Sequence, residues 1–188
     1  MMKNYNFTPF QHDEKTKHVI MIIEISTDLD VSTLNDDSQL SIFYVTERPF
    51  GIRIDPRSLS KESLETLTKI LTSPTFPTSR LDSLRIGTSK GNIDDFMLTI
   101  PMCKRLFLDV SFTLDVLRSL IEKNPRLESL GIPSSHIGTS GFCELMKMIP
   151  QTLTHLDASG SISVVDTPLR TIDLYKCSLV SLDLSFNS

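Results

Sequence analysis

One phrase recurs through the second half of the chain and limits what it can fold into. It runs Leu, two residues, Leu, one residue, an aliphatic, two residues, a small polar residue. The cleanest copy is Leu179, Leu182, Leu184 and Asn187. Five more align with it: Leu81/Leu84/Ile86 with Ser89, Cys103/Leu106/Leu108 with Ser111, Leu127/Leu130/Ile132 with Ser135, Leu153/Leu156/Ala158 with Ser161, and Leu169/Ile172/Leu174 with Cys177. A pattern shared by many segments specifies a stack of like units, not one enclosed pocket.

The phrase has a physical reading. Its inner aliphatic–x–aliphatic part alternates as a strand with one buried face should. The small polar residue that follows can turn inward and bond the backbone where the chain leaves the strand. Asn does this more fully than Ser or Cys, so five of the copies depart from the strongest wording. The second aliphatic of the central copies falls at 84, 106, 130 and 156, in steps of 22, 24 and 26 residues. Between the phrases lie amphipathic stretches. Residues 112–124 place Leu114, Leu117, Leu120 and Ile121 at helical spacing and stop before Pro125. Residues 137–149 place Phe142, Leu145, Met146 and Ile149 on one face, with Pro150 ending them. Residues 92–100 predict a shorter helix.

The phrase and its spacing resemble the leucine-rich repeat family, and the Ile137–Gly141 start with its helical convex segment is most similar to the ribonuclease-inhibitor-like or cysteine-containing subclass. The resemblance covers roughly residues 50–188. It implies an α/β solenoid of about five or six repeats over 49–188, with parallel concave strands and helical convex segments. An earlier unit is expected from Ile52 and Ile54, with Ser60 capping a helix over 63–71 and an extended loop through Pro74 and Pro77. At the far end, Ile172 and Leu182 are too close to belong to successive strands. The Leu169–Leu174 copy is therefore expected on the convex side, which restores a step from Leu156 to Leu182; a distorted coil is the alternative.

Residues 1–48 do not carry the phrase. Residues 19–25 and 40–45 read as strands flanking an acidic loop, which predicts a strand-rich N-terminal cap or the remnant of a preceding domain. Asn187 is followed only by Ser188, so the sequence predicts a solenoid truncated at its C-terminus, or one whose edge at Leu182, Leu184 and Phe186 is covered by another chain.

Charge narrows the partners. Residues 1–48 hold eight acidic and four basic side chains, while 49–188 balance at fifteen each, so the net charge of −4 belongs to the N-terminal segment. Without a basic stripe, neither nucleic acid nor an anionic membrane is expected as partner. Cys103, Cys143 and Cys177 are too widely spaced for a zinc motif and odd in number, which suits reduced thiols in a cytoplasmic protein. No apolar run reaches the ~20 residues a membrane span needs.

Chemistry is sparse. His12, His18, His136 and His155 show no metal-ligand spacing, Gly87–Asn92 lacks a phosphate-loop Lys-Ser/Thr, and Asp94–Asp95 suit the positive end of a short helix. No catalytic residues, metal or cofactor are expected. The residues that alternate with the buried aliphatics form the surface of interest. One row reads Arg53, Arg85, Phe107, Gly131, Asp157, Asp173, Asp183; its neighbour reads Ser83, Arg105, Ser129, His155, Thr171, Ser181. From these, Arg53, Arg85, Arg105, Phe107, His155, Asp157, Asp173 and Asp183 are the candidate partner-binding residues. The aspartates have an equal claim as solvated strand residues, since Leu-Asp-Leu is common wording for this repeat. By resemblance, the expected function is non-catalytic recognition of a protein on the concave face. Activation of a small GTPase and substrate adaptation for a ubiquitin ligase are the alternatives.

Overall fold

The computed structural model describes residues 21–34, 48–89, 91–162 and 178–187. They form one open sheet of seven parallel strands in sequence order, with five α-helices between them. The strands are β1 (Met21–Ile25), β2 (Phe50–Ile54), β3 (Leu81–Ile86), β4 (Arg105–Leu108), β5 (Ser129–Gly131), β6 (His155–Asp157) and β7 (Ser181–Asp183). The helices are α1 (Asp28–Leu34), α2 (Lys61–Thr72), α3 (Asp94–Met97), α4 (Leu114–Lys123) and α5 (Gly138–Met148). Each helix packs on the next, so they line one face of the sheet in a row.

A single aliphatic ladder holds the strands in register: Ile23, Ile52, Leu84, Leu106, Leu130, Leu156 and Leu182 stand side by side across the sheet. The second ladder, Ile25, Ile54, Ile86 and Leu108, is buried with it against the helices. The spacing of the repeat phrase demands this result. A one-residue slip in any strand would turn its aliphatics to the opposite face, at about 1.5–3 kcal/mol for each lost Leu or Ile. Because β6 pairs directly with β7, the step from Leu156 to Leu182 is a single step. The Leu169–Leu174 copy lies outside the described residues.

The helices follow from caps and spacing. Ser60 Oγ accepts from Ser63 N at 3.1 Å, and Thr113 Oγ1 accepts from Val116 N at 3.3 Å. Leu67, Ile70 and Leu71 of α2 and Val116, Leu117, Leu120 and Ile121 of α4 are buried. The segment expected to be helical over 92–100 contracts to the four residues of α3, which has no side-chain cap bond at Ile93. Asp94 and Asp95 do occupy its first turn. Beyond α2, the expected extended loop tucks inward instead: Phe76 is buried edge-on against Phe50, with ring centroids 6.2 Å apart.

Met21–Ile25 is a parallel neighbour of β2 and is followed by a helix, as the later strands are. Its Ile23 precedes Ile52 by 29 residues, within the range of the repeat. The expected second strand of the cap, residues 40–45, lies outside the described residues.

Past the strands, the same turn recurs three times among the described residues. Ser134, Gly160 and Phe186 all have positive φ, at 54°, 62° and 58°. Ser134 N donates to Ser159 O and Gly160 N to Ser185 O, so the turns stack as the strands do. The small polar residue that ends each phrase follows directly. Asn187 accepts from Ile162 N at 2.7 Å and donates to Ala158 O and Leu184 O, tying the last described unit to the one before it. Ser161 does the same job one unit earlier: its hydroxyl donates to Ile132 O and accepts from Ser135 N. Ser135 Oγ is buried without a hydrogen-bond partner among the described residues. Ser89 turns instead to its own loop, bonding Gly91.

Candidate functional site

The sheet face away from the helices carries the side chains that alternate with the aliphatic ladders. The backbone register aligns Glu24, Arg53, Arg85, Phe107, Gly131, Asp157 and Asp183 in one row. Gly51, Ser83, Arg105, Ser129, His155 and Ser181 form the adjacent row. Both rows match the order expected from the sequence except at Asp173 and Thr171, which lie outside the described residues. Asp157 stands next to Asp183, and His155 stands next to Ser181.

Phe107 organises the centre. The Arg85 guanidinium carbon sits 4.2 Å from the Phe107 ring centroid, a cation–π stack. On its other side the ring rests over Gly131, where an added Cβ would stand 2.7 Å from Cε2 and closer still to Cδ2. Only glycine leaves that space. The stack therefore spans three strands: a cation on β3, an aromatic ring on β4 and a bare backbone on β5.

Two neighbouring arginines are already paired. Arg53 Nη1 lies 2.9 Å from Glu24 Oε1, and Arg105 Nε approaches Asp82 Oδ2 at 3.3 Å, an ion pair without a well-aligned hydrogen bond. Burial, then the adjacent Arg53 charge, lower the pKa of the Arg85 guanidinium, against a smaller upward pull from Asp109. Sequence reasoning missed Glu24 and Asp82 as partners. The signal for Glu24 was its place in an Ile-x-Ile segment matching Ile52-Arg53-Ile54; Asp82 sits inside the repeat phrase, next to the outward Ser83.

Asp157 and Asp183 prove to be turn-formers. Asp157 Oδ1 accepts from Ser159 N and from Ser159 Oγ at 3.0 and 2.7 Å. Asp183 Oδ1 accepts from Ser185 N at 2.8 Å, and this bond holds its carboxyl below the usual range. The Asp-x-Ser spacing that produces these bonds is visible in the sequence. Both carboxylates keep one oxygen toward solvent, yet their local bonds account for their presence.

His155 is exposed, and its Nδ1 lies 2.8 Å from Thr154 Oγ1. Thr154 Oγ1 also lies 3.0 Å from Glu128 O, to which its hydroxyl donates. Cys103 is buried and its thiol is pushed up to about 12, chiefly by burial, so it is held protonated away from this face. Among the described residues no group of His, Cys, Asp and Glu is placed to hold a metal ion, and no helix is long and apolar enough to cross a membrane. No protein-family model matches the chain, and no curated protein matches it.

Proposed function

We propose that the chain is a leucine-rich-repeat solenoid that binds a protein partner, without catalysis, on the helix-free face of its sheet. The observation that carries this reading is the Arg85–Phe107 stack seated over Gly131. Arginine and aromatic side chains are the types that dominate protein interfaces, and a ring already held between a cation and a glycine loses little freedom on binding. The paired arginines Arg53 and Arg105 flank it, and His155 extends the same face. A cytoplasmic location belongs to the same proposal, supported by the odd number of cysteines.

Affinity capture from source lysate tests it. The variant combining Arg85→Ala, Arg105→Ala and Phe107→Ala should lose the main protein captured by the wild type. Because removing Arg105 strips Asp82 of its partner, the double variant Arg85→Ala/Phe107→Ala is run beside it as the better-folded control. Capture that is unchanged in both, with thermal midpoints like the wild type, would place the interface elsewhere.

A further inference from the structure

Three arginines cluster on the outer face, and two of them have a carboxylate. Arg53 is matched by Glu24, and Arg105 by Asp82. Arg85 forms no ion pair and donates no hydrogen bond to any of the described residues. Asp109 is near enough to be felt by Arg85, but does not reach ion-pair distance. The half-buried Arg85 keeps its nitrogens in reach of solvent, so its donors stand ready for an acceptor that a partner brings. Stacking on Phe107 satisfies the face of the guanidinium and leaves its edge, where the N–H groups lie, free.

From this geometry we infer that Arg85 receives a single carboxylate, the side chain of an Asp or Glu in the partner protein, seated beside the Phe107 ring. The inference rests on the protein-binding proposal above and specifies its chemistry. Charge complementarity selects the occupant. One unmatched cation among neutralised pairs suits a monoanion, and the planar fork of arginine suits the two oxygens of a carboxylate. A phosphate dianion would bring its second charge close to Glu24, Asp82 and Asp109. Of the small residues nearby, Gly131 lies under the Phe107 ring, and Ser83, on the same face of β3 as Arg85, leaves the guanidinium edge uncrowded on that side.

The test is a selection of random dodecapeptides displayed on phage against the whole chain, followed by titration of the strongest binder. The expected consensus contains one fixed Asp or Glu. Replacing that residue by Gln, or the protein's Arg85 by Gln, should each weaken binding by about 10- to 100-fold, and combining them should cost little more than either alone. Arg85→Lys should restore part of the loss. The inference is overturned if no peptide is enriched, if the consensus lacks an acid, or if Arg85→Gln binds as the wild type does. Tighter binding of a peptide with phosphoserine at the acidic position would assign the site to phosphate and also overturn it. Lysate capture separates the two proposals: capture lost in the Arg85→Ala/Phe107→Ala variant without an acidic consensus would retain protein binding and discard the carboxylate.

Discussion

The ring of Phe107 occupies the space that a side chain at Gly131 would need, with Cε2 2.7 Å from the position of a Cβ there. Gly131→Ala should therefore push the ring aside and break its stack with Arg85. Phe107 lies on the outer face and can rotate away, so the stability loss should be small for a buried position, about 1 kcal/mol. Partner capture should fall as far as it does in Phe107→Ala. Urea unfolding and capture measured on the same variant check both parts; full capture would show that the stack is not the recognition element.

The phrase-ending serines should respond in opposite ways. Ser161→Ala strips a partner from Ile132 O and from Ser135 N inside the fold, and should cost about 1–3 kcal/mol. Ser135→Ala removes a buried hydroxyl that has no hydrogen-bond partner among the described residues, and should be neutral or slightly stabilising. Chemical denaturation of the two variants distinguishes them.

Phe186 occupies a left-handed conformation at φ 58° while 92% exposed. A residue with a Cβ gives up roughly 1–2 kcal/mol there, and glycine returns about 0.5–1 kcal/mol of that through its freer unfolded chain. Phe186→Gly should thus raise the thermal midpoint modestly. Gly160→Ala, at φ 62° and with Ser134 Oγ 3.3 Å from the new Cβ, should lower it.

Stability should fall in acid through Asp28 and Asp183. Hydrogen bonds from Ser60 N to Asp28 and from Ser185 N to Asp183 hold both carboxyls below their usual range. A pKa depressed in the folded state contributes stability that is present above the unfolded value, about 3.9, and is lost as pH falls through the lower folded value. Asp28→Asn should therefore be less stable than the wild type at neutral pH, and the difference should close as pH falls through the lowered folded value of Asp28. Unfolding midpoints from pH 7 to pH 2 measure this; a constant difference across that range would contradict it.

Much of the architecture was legible because burial acts locally and repeatedly. An aliphatic at every second position has only one face to hide, so Leu84, Leu106, Leu130, Leu156 and Leu182 could be aligned before any strand was placed. The same alternation named Arg85, Arg105 and Phe107 as neighbours on the outer face. Met21–Ile25 was legible as a strand but not as a neighbour of the repeat strands, because Ile23 and Ile25 lack the flanking leucine and polar terminator, although the sheet needs only their alternation. Asn124 escaped for a different reason. It is buried, accepts from Cys103 N at 2.8 Å and donates to Leu120 O, so it joins the end of one helix to the start of a strand twenty-one residues earlier. No local pattern announces a bond across that distance.

The sequence by itself determined the unit, its register and which side chains face away from the core, since each follows from short-range alternation and spacing. Tertiary structure alone decided how those outward charges combine. Glu24 neutralises Arg53 and Asp82 neutralises Arg105, because parallel register brings distant segments within ion-pair reach. Arg85 was left to a ring and a glycine on the next two strands. Whether a charge is matched depends on neighbours across the sheet, and that is a property of the assembled fold, not of any one repeat.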